Sequence, residues 1–198
     1  MTPPTPPANE IQQLRLRQLV AFLRESAQIL ADWDAYSDQA CDPDTFQPLD
    51  DLAYGLRQRR RDADTWRSFN RVRHFADDLL DVAEEQLAQL PEKSRTQWHW
   101  QITELRTALD ELRALQAEWL DLRTTAAAHA RPGTEAYDES LAERNAEAWH
   151  YLGTWALHGQ AVLDIHTAAH HQPLPPPFAP MPPQAPHATA AKPTRAGR

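Results

Sequence analysis

The sequence has one cysteine, five glycines, few lysines and no long apolar run, and each shortage excludes something. Cys41, alone, forms no disulfide within the chain, which fits a reducing cytoplasm. No stretch nears the roughly 18 apolar residues of a membrane-spanning helix, so no membrane is expected as a partner. The opening Met-Thr-Pro-Pro-Thr-Pro-Pro has neither the basic start nor the apolar stretch of a secretion signal. Runs of Val, Ile and Thr, which favour strands, are missing. So are a glycine-rich phosphate loop, Gly-x-Ser-x-Gly, Cys-x-x-Cys and His-Glu-x-x-His. No catalytic residue and no cofactor is therefore expected. Cys41 itself stands beside Asp42, an acidic setting that dulls a thiol. Lysine gives way to arginine, 2 against 18, which we read as a GC-rich, bacterial coding sequence.

What is present is helix-forming. Apolar residues make up 41% of the 198, enough for a core. The net charge is −8; removing the three bases of the C-terminal tail (Lys192, Arg195, Arg198) leaves −11 for the rest. Such a balance disfavours general attraction to nucleic acid or an anionic membrane. Prolines crowd into both ends, four in residues 1–8 and nine in residues 172–198. Both segments are expected to be disordered, proline-rich arms around a helical region, residues 9–171. Inside it, only Pro43, Pro48, Pro91 and Pro132 interrupt Ala, Leu, Gln, Glu and Arg.

Apolar spacing predicts helices over about 9–36, 49–90, 94–130 and 134–170. Asn9, Ser94 and Thr134 suit the N-cap positions, and a break is expected in the long second helix at residues 62–65. Leu16, Leu19, Val20, Leu23, Ala27, Leu30 and Trp33 share a face of the first helix, and Leu52, Leu56, Trp66 and Phe69 one of the second. Glu104-Leu105-Arg106 returns a heptad later as Glu111-Leu112-Arg113, a touch of coiled-coil packing. Short connections between long helices force antiparallel neighbours, so the expected fold is an all-α, up-down four-helix bundle.

Four constellations invite chemistry. Seven arginines lie in residues 57–73: Arg57, Arg59, Arg60, Arg61, Arg67, Arg71 and Arg73. Guanidiniums in such number suit a phosphate, a nucleic-acid backbone or an acidic protein. The plainer expectation is pairing with acids inside the bundle, because charged helix faces are usually just solvated. Glu147 and His150 match the Glu-x-x-His step of di-iron bundles, without a second copy. His166 and His170, one turn apart, could share a metal; otherwise they are half-exposed rings where the helix dipole favours protonation. Five of seven tryptophans fall on core stripes, whereas Trp100 and Trp149 fall off them and could anchor a partner. In the tail, Pro177, Pro180, Pro183 and Pro186 recur every three residues and would line one ridge of a polyproline helix. Such a ridge suits an aromatic groove or a plain spacer.

The sequence is therefore expected to encode a non-catalytic module that binds a protein or scaffolds one, with homo-oligomers possible. Anion or nucleic-acid binding through the arginines is a less favoured alternative, and a metal-binding bundle a second. Fold alone cannot choose among them.

Overall fold

The computed structural model describes residues 8–125 and 131–171. The expected arm before Ala8, the tail with its proline register, and residues 126–130 of the third predicted helix lie outside them. Among the described residues the chain is nearly all helical and has no strand. The helices are α1 (Ala8–Ala40), α2 (Asp51–Phe69), α3 (Ala76–Gln89), α4 (Glu92–Thr125), α5 (Glu135–His158) and α6 (Gln160–His170), with a 3-10 turn at Arg73–Phe75.

Local chemistry explains where these bounds depart from the expected ones. α1 continues to Ala40, because Ser37 Oγ lies 3.1 Å from the Tyr54 hydroxyl and Tyr36 stacks on the same ring. The helix stays profitable in contacts until Cys41, whose backbone pairs with Pro48. The break expected at residues 62–65 falls instead between α2 and α3. Asp64 remains in the helix as partner of Arg60 and Arg67. After Phe69 the backbone tightens: Arg71 N–H bonds Ser68 and Val72 N–H bonds Phe69, three residues back instead of four. α4 starts before its expected cap Ser94, since the Pro91 carbonyl already accepts from Arg95 N–H. Thr134 caps α5 as its sequence demands, accepting from Tyr137 N–H at 3.4 Å.

The expected single helix over 134–170 is interrupted at Gly159. There Val162 N–H bonds the Gly159 carbonyl, and Leu23 of α1 presses close. A Cβ at Gly159 would lie 2.6 Å from the Trp155 oxygen and 3.0 Å from Leu23 Cδ2.

The core joins all these elements. Leu16, Leu19 and Phe22 of α1 meet Phe69, Val72, Leu79 and Leu80, together with Leu105, Leu109, Leu152, Trp155 and Ile165. Burying each such side chain contributes about 1.5–3 kcal/mol. On α1 the inward stripe runs through Phe22 and Ser26, leaving Ala27 and Leu30 exposed against expectation.

Named contacts fix the relative directions of the helices. Along α1, Tyr36 and Trp33 meet Tyr54, Phe22 meets Phe69 and Arg15 pairs with Asp78, so α1 runs opposite to α2 and α3. Arg113 pairs with Asp77 and Arg106 with Asp81 and Glu84, so α3 and α4 also run oppositely. Trp119 meets Tyr137 and Trp100 meets His158, giving α4 and α5 the same relation over most of their length. No helix is long and apolar enough to cross a membrane, among the described residues.

Candidate functional site

The arginines of residues 57–73 sit on α2 and the turn after it, and most are engaged internally. Arg71 bonds Glu25 of α1 at 2.7 and 3.1 Å, and Ser68 donates to the same carboxylate at 2.8 Å. The Arg71 hydrogen bond, with Ser68 adding to it, holds Glu25 below the usual carboxylate range against the opposing cost of burial. Arg67 pairs with Asp64, and Arg60 lies 3.6 Å from it. Arg57 lies over Tyr36 at 5.6 Å. These partners are Glu25, Asp64 and aromatic rings, so most of the set pairs within the bundle, as the plainer expectation had it.

Arg61 is the most enclosed of the set that pairs. Its guanidinium lies between Trp33 of α1, 4.3 Å away, and Trp149 of α5, 3.8 Å away. It also bonds Asp62, only 1% exposed, at 2.7 and 2.8 Å. Burial pushes the Asp62 carboxyl up, and Arg61 only partly reverses this. Trp149, expected off the core stripe, is therefore the outer slab of an arginine sandwich. Trp100, the other such tryptophan, is half-exposed and meets His158 edge-on at 4.8 Å.

A second stack escaped sequence reasoning. Arg144 of α5 is only 8% exposed, with its guanidinium 4.0 Å from the Trp66 ring and 4.8 Å from Trp119. It donates to Gln116 Oε1 at 2.7 Å and Asn145 Oδ1 at 2.6 Å, both uncharged acceptors. Desolvation, with nearby Arg73 adding repulsion, lowers its pKa to about 10. Arg123 continues the stack over Trp119 and Tyr137. Buried cation–π contacts of this kind are worth up to about 2 kcal/mol each. Nothing in the local pattern marks Arg144, since its partners come from α2 and α4.

Arg59 is exposed, and no acid lies within ion-pair distance of it among the described residues. It borders a groove of about 680 Å³ between α2 and α5, with Ala63, Leu141 and Ala142 as apolar lining and Glu135, Asp138 and Glu139 around them. Arg73 is half-buried, and its Nε has no hydrogen-bond partner.

The metal candidates are dispersed. Glu147 and His150 are both exposed on α5. His166 and His170 stand with rings 4.1 Å apart on α6, and no group of three or more potential ligands assembles around any of the four among the described residues. The Gln13 and Gln86 amides reach the two His166 ring nitrogens at 3.3 and 3.2 Å. Burial first, and His170 second, lower the His166 pKa, the reverse of the protonation expected from the helix dipole.

The α1–α2 end holds a feature that spacing misread. Leu52 and Leu56, expected in the core, are 75% and 59% exposed, Leu49 before them 70%, and Phe46 in the loop 80%. Four residues apart, Leu52 and Leu56 share one outward face of α2, and Phe46 and Leu49 lie in the segment before its N-cap Asp50. The inward side of α2 is instead Tyr54, Arg61, Asp62, Thr65 and Trp66: Tyr54 meets Ser37 of α1, Arg61 meets Trp33 of α1 and Trp149 of α5, and Asp62 and Thr65 are satisfied by Arg61 within the helix. Phe46 has φ of 57°, a left-handed conformation that costs a bulky residue about 1–2 kcal/mol. The loop is built to hold it. Asp42 Oδ1 accepts from Asp44 N–H, Thr45 N–H and the Thr45 hydroxyl, and Phe46 N–H bonds the Asp42 carbonyl at 2.9 Å. The Thr45 and Asp44 amides keep the Asp42 carboxyl below its usual range.

No known protein family, curated protein or solved structure matches this chain.

Proposed function

We propose that this chain is a non-catalytic, cytoplasmic protein-binding module. Its four helical arms are α1, α2 with α3, α4, and α5 with α6, and they form an up-down four-helix bundle. The opposed directions of α1 and α2–α3, of α3 and α4, and of α4 and α5 support that architecture. The observation that carries the function is the exposure of Phe46, Leu49, Leu52 and Leu56 at the start of α2. A monomer gains nothing by exposing large apolar side chains so closely spaced, and apolar patches mark interaction sites. The exposed Phe46, held in a strained left-handed backbone, points the same way.

The test is a pull-down with the full chain, a chain ending at residue 171, and a Leu52→Glu/Leu56→Glu variant. A specific partner retained by the wild type and the shortened chain, and lost by the double variant at unchanged helicity, supports the reading. Equal recovery by the double variant would sink it. Loss on shortening alone would move the binding determinant to Pro177, Pro180, Pro183 and Pro186.

Anion or nucleic-acid binding is the second reading, supported by Arg59 and Arg60, the exposed arginines of α2 outside any close ion pair. Arg59→Gln/Arg60→Gln should then abolish a binding that weakens steeply with salt. Wild-type binding to oligonucleotides by that variant removes this reading.

A further inference from the structure

We propose that the apolar row of α2 is covered by a second copy of this chain, with the two α2 helices packed antiparallel about a two-fold axis. The inference rests on the docking role assigned to that row and names its occupant.

Charge supplies the first argument. The row lies between an acidic end and a basic end. Asp44, Asp50 and Asp51 stand at its start, and Arg59 and Arg60 at its finish. None of these acids is in an ion pair among the described residues, and Arg60, 72% exposed, holds Asp64 only at 3.6 Å. A parallel neighbour of the same kind would set like charges side by side. An antiparallel one sets each acidic end against a basic end, twice, as a two-fold interface requires. Arg59 shares its groove with Glu135, Asp138 and Glu139, which reduces its share of this attraction, so Arg60 carries the larger part.

Register supplies the second. Placing Leu52 against Leu56 of the partner copy also brings Arg59 and Arg60 of each copy beside the start of the other's α2, where Asp50 and Asp51 stand. Ala63 continues the leucine face two turns further and lines the groove of about 680 Å³, with Leu141 and Ala142. The alignment that pairs the leucines thus pairs the charges as well.

The test is sedimentation equilibrium of the full chain, from low micromolar to about 200 µM, the range where a modest interface of this kind would associate. The expected result is a monomer–dimer equilibrium. Leu52→Glu/Leu56→Glu should weaken it more than about tenfold, with unchanged circular dichroism. Asp44→Arg/Asp51→Arg alone, and Arg59→Glu/Arg60→Glu alone, should each weaken it similarly, and an equimolar mixture of these two should form a heterodimer. Asp50 is spared because its side chain caps α2. A wild-type monomer throughout overturns the proposal while leaving the row open to a different protein. A dimer indifferent to the leucine substitutions overturns it too, by placing the contact elsewhere. A mixture that stays monomeric overturns the antiparallel pairing.

Discussion

The guanidinium carbon of Arg61 lies 3.8 Å from the centre of the Trp149 ring, so a side chain of α2 and one of α5 share a contact almost closed to water. The same guanidinium neutralises the buried Asp62. Removing it leaves a carboxylate with nowhere to go. Arg61→Ala should cost about 3–5 kcal/mol in urea unfolding. Arg61→Met/Asp62→Asn should recover most of that loss, because no charge is then stranded. A double variant as unstable as the single would mean that the two tryptophans, rather than the ion pair, depend on Arg61.

Arg144 makes a different demand. Its partners are two amide oxygens and two ring faces, a planar arrangement that an ammonium cannot reproduce. Arg144→Lys keeps the charge yet should lower stability by about 2–4 kcal/mol and alter tryptophan emission. A loss below about 0.5 kcal/mol would show that only the charge matters.

Two glycines should respond to alanine with opposite signs. At Gly55, inside α2 and in open space, alanine should stabilise by about 0.5–1 kcal/mol. At Gly159, where the new carbon would press on the Trp155 carbonyl and on Leu23, it should destabilise by about 1–3 kcal/mol. Thermal unfolding midpoints moving in the same direction would contradict the packing at the α5–α6 junction.

His166 gives stability an acid-side slope. Its pKa in the folded protein is lowered by burial and by His170. Between that value and the ordinary value near 6.5, the unfolded chain binds a proton that the folded chain refuses. Stability should therefore fall as pH drops through about 6.5, and this contribution should level off below the folded pKa. His166→Gln should flatten the fall between about pH 7 and 5, followed by chemical denaturation. An unchanged slope would assign it to other groups.

The helical class and most of the core were legible because apolar spacing on α3, α4 and α5 faces a single interior. The break between α2 and α3 was not. Phe69, Val72, Ala76, Leu79 and Leu80 keep a helical step straight across it, so the pattern passes the turn without a stumble. Leu52 and Leu56 misled for a related reason. Period alone cannot tell an inward face from an outward one when the inward face holds Tyr54 and Arg61, whose partners Ser37, Trp33 and Trp149 are distant in sequence. Thr134, whose role is local, was read correctly.

The two interruptions lie beside each other. Phe69, at the end of α2, meets Phe22 of α1 and Trp155, just before Gly159, each at 5.4 Å. At this level α2 gives way to α3 and α5 to α6, while α1 and α4 run through 33 and 34 residues without a stop. One buried aromatic cluster therefore seals both interruptions, so a truncation at Phe69 should loosen the α2–α3 turn and the α5–α6 junction together.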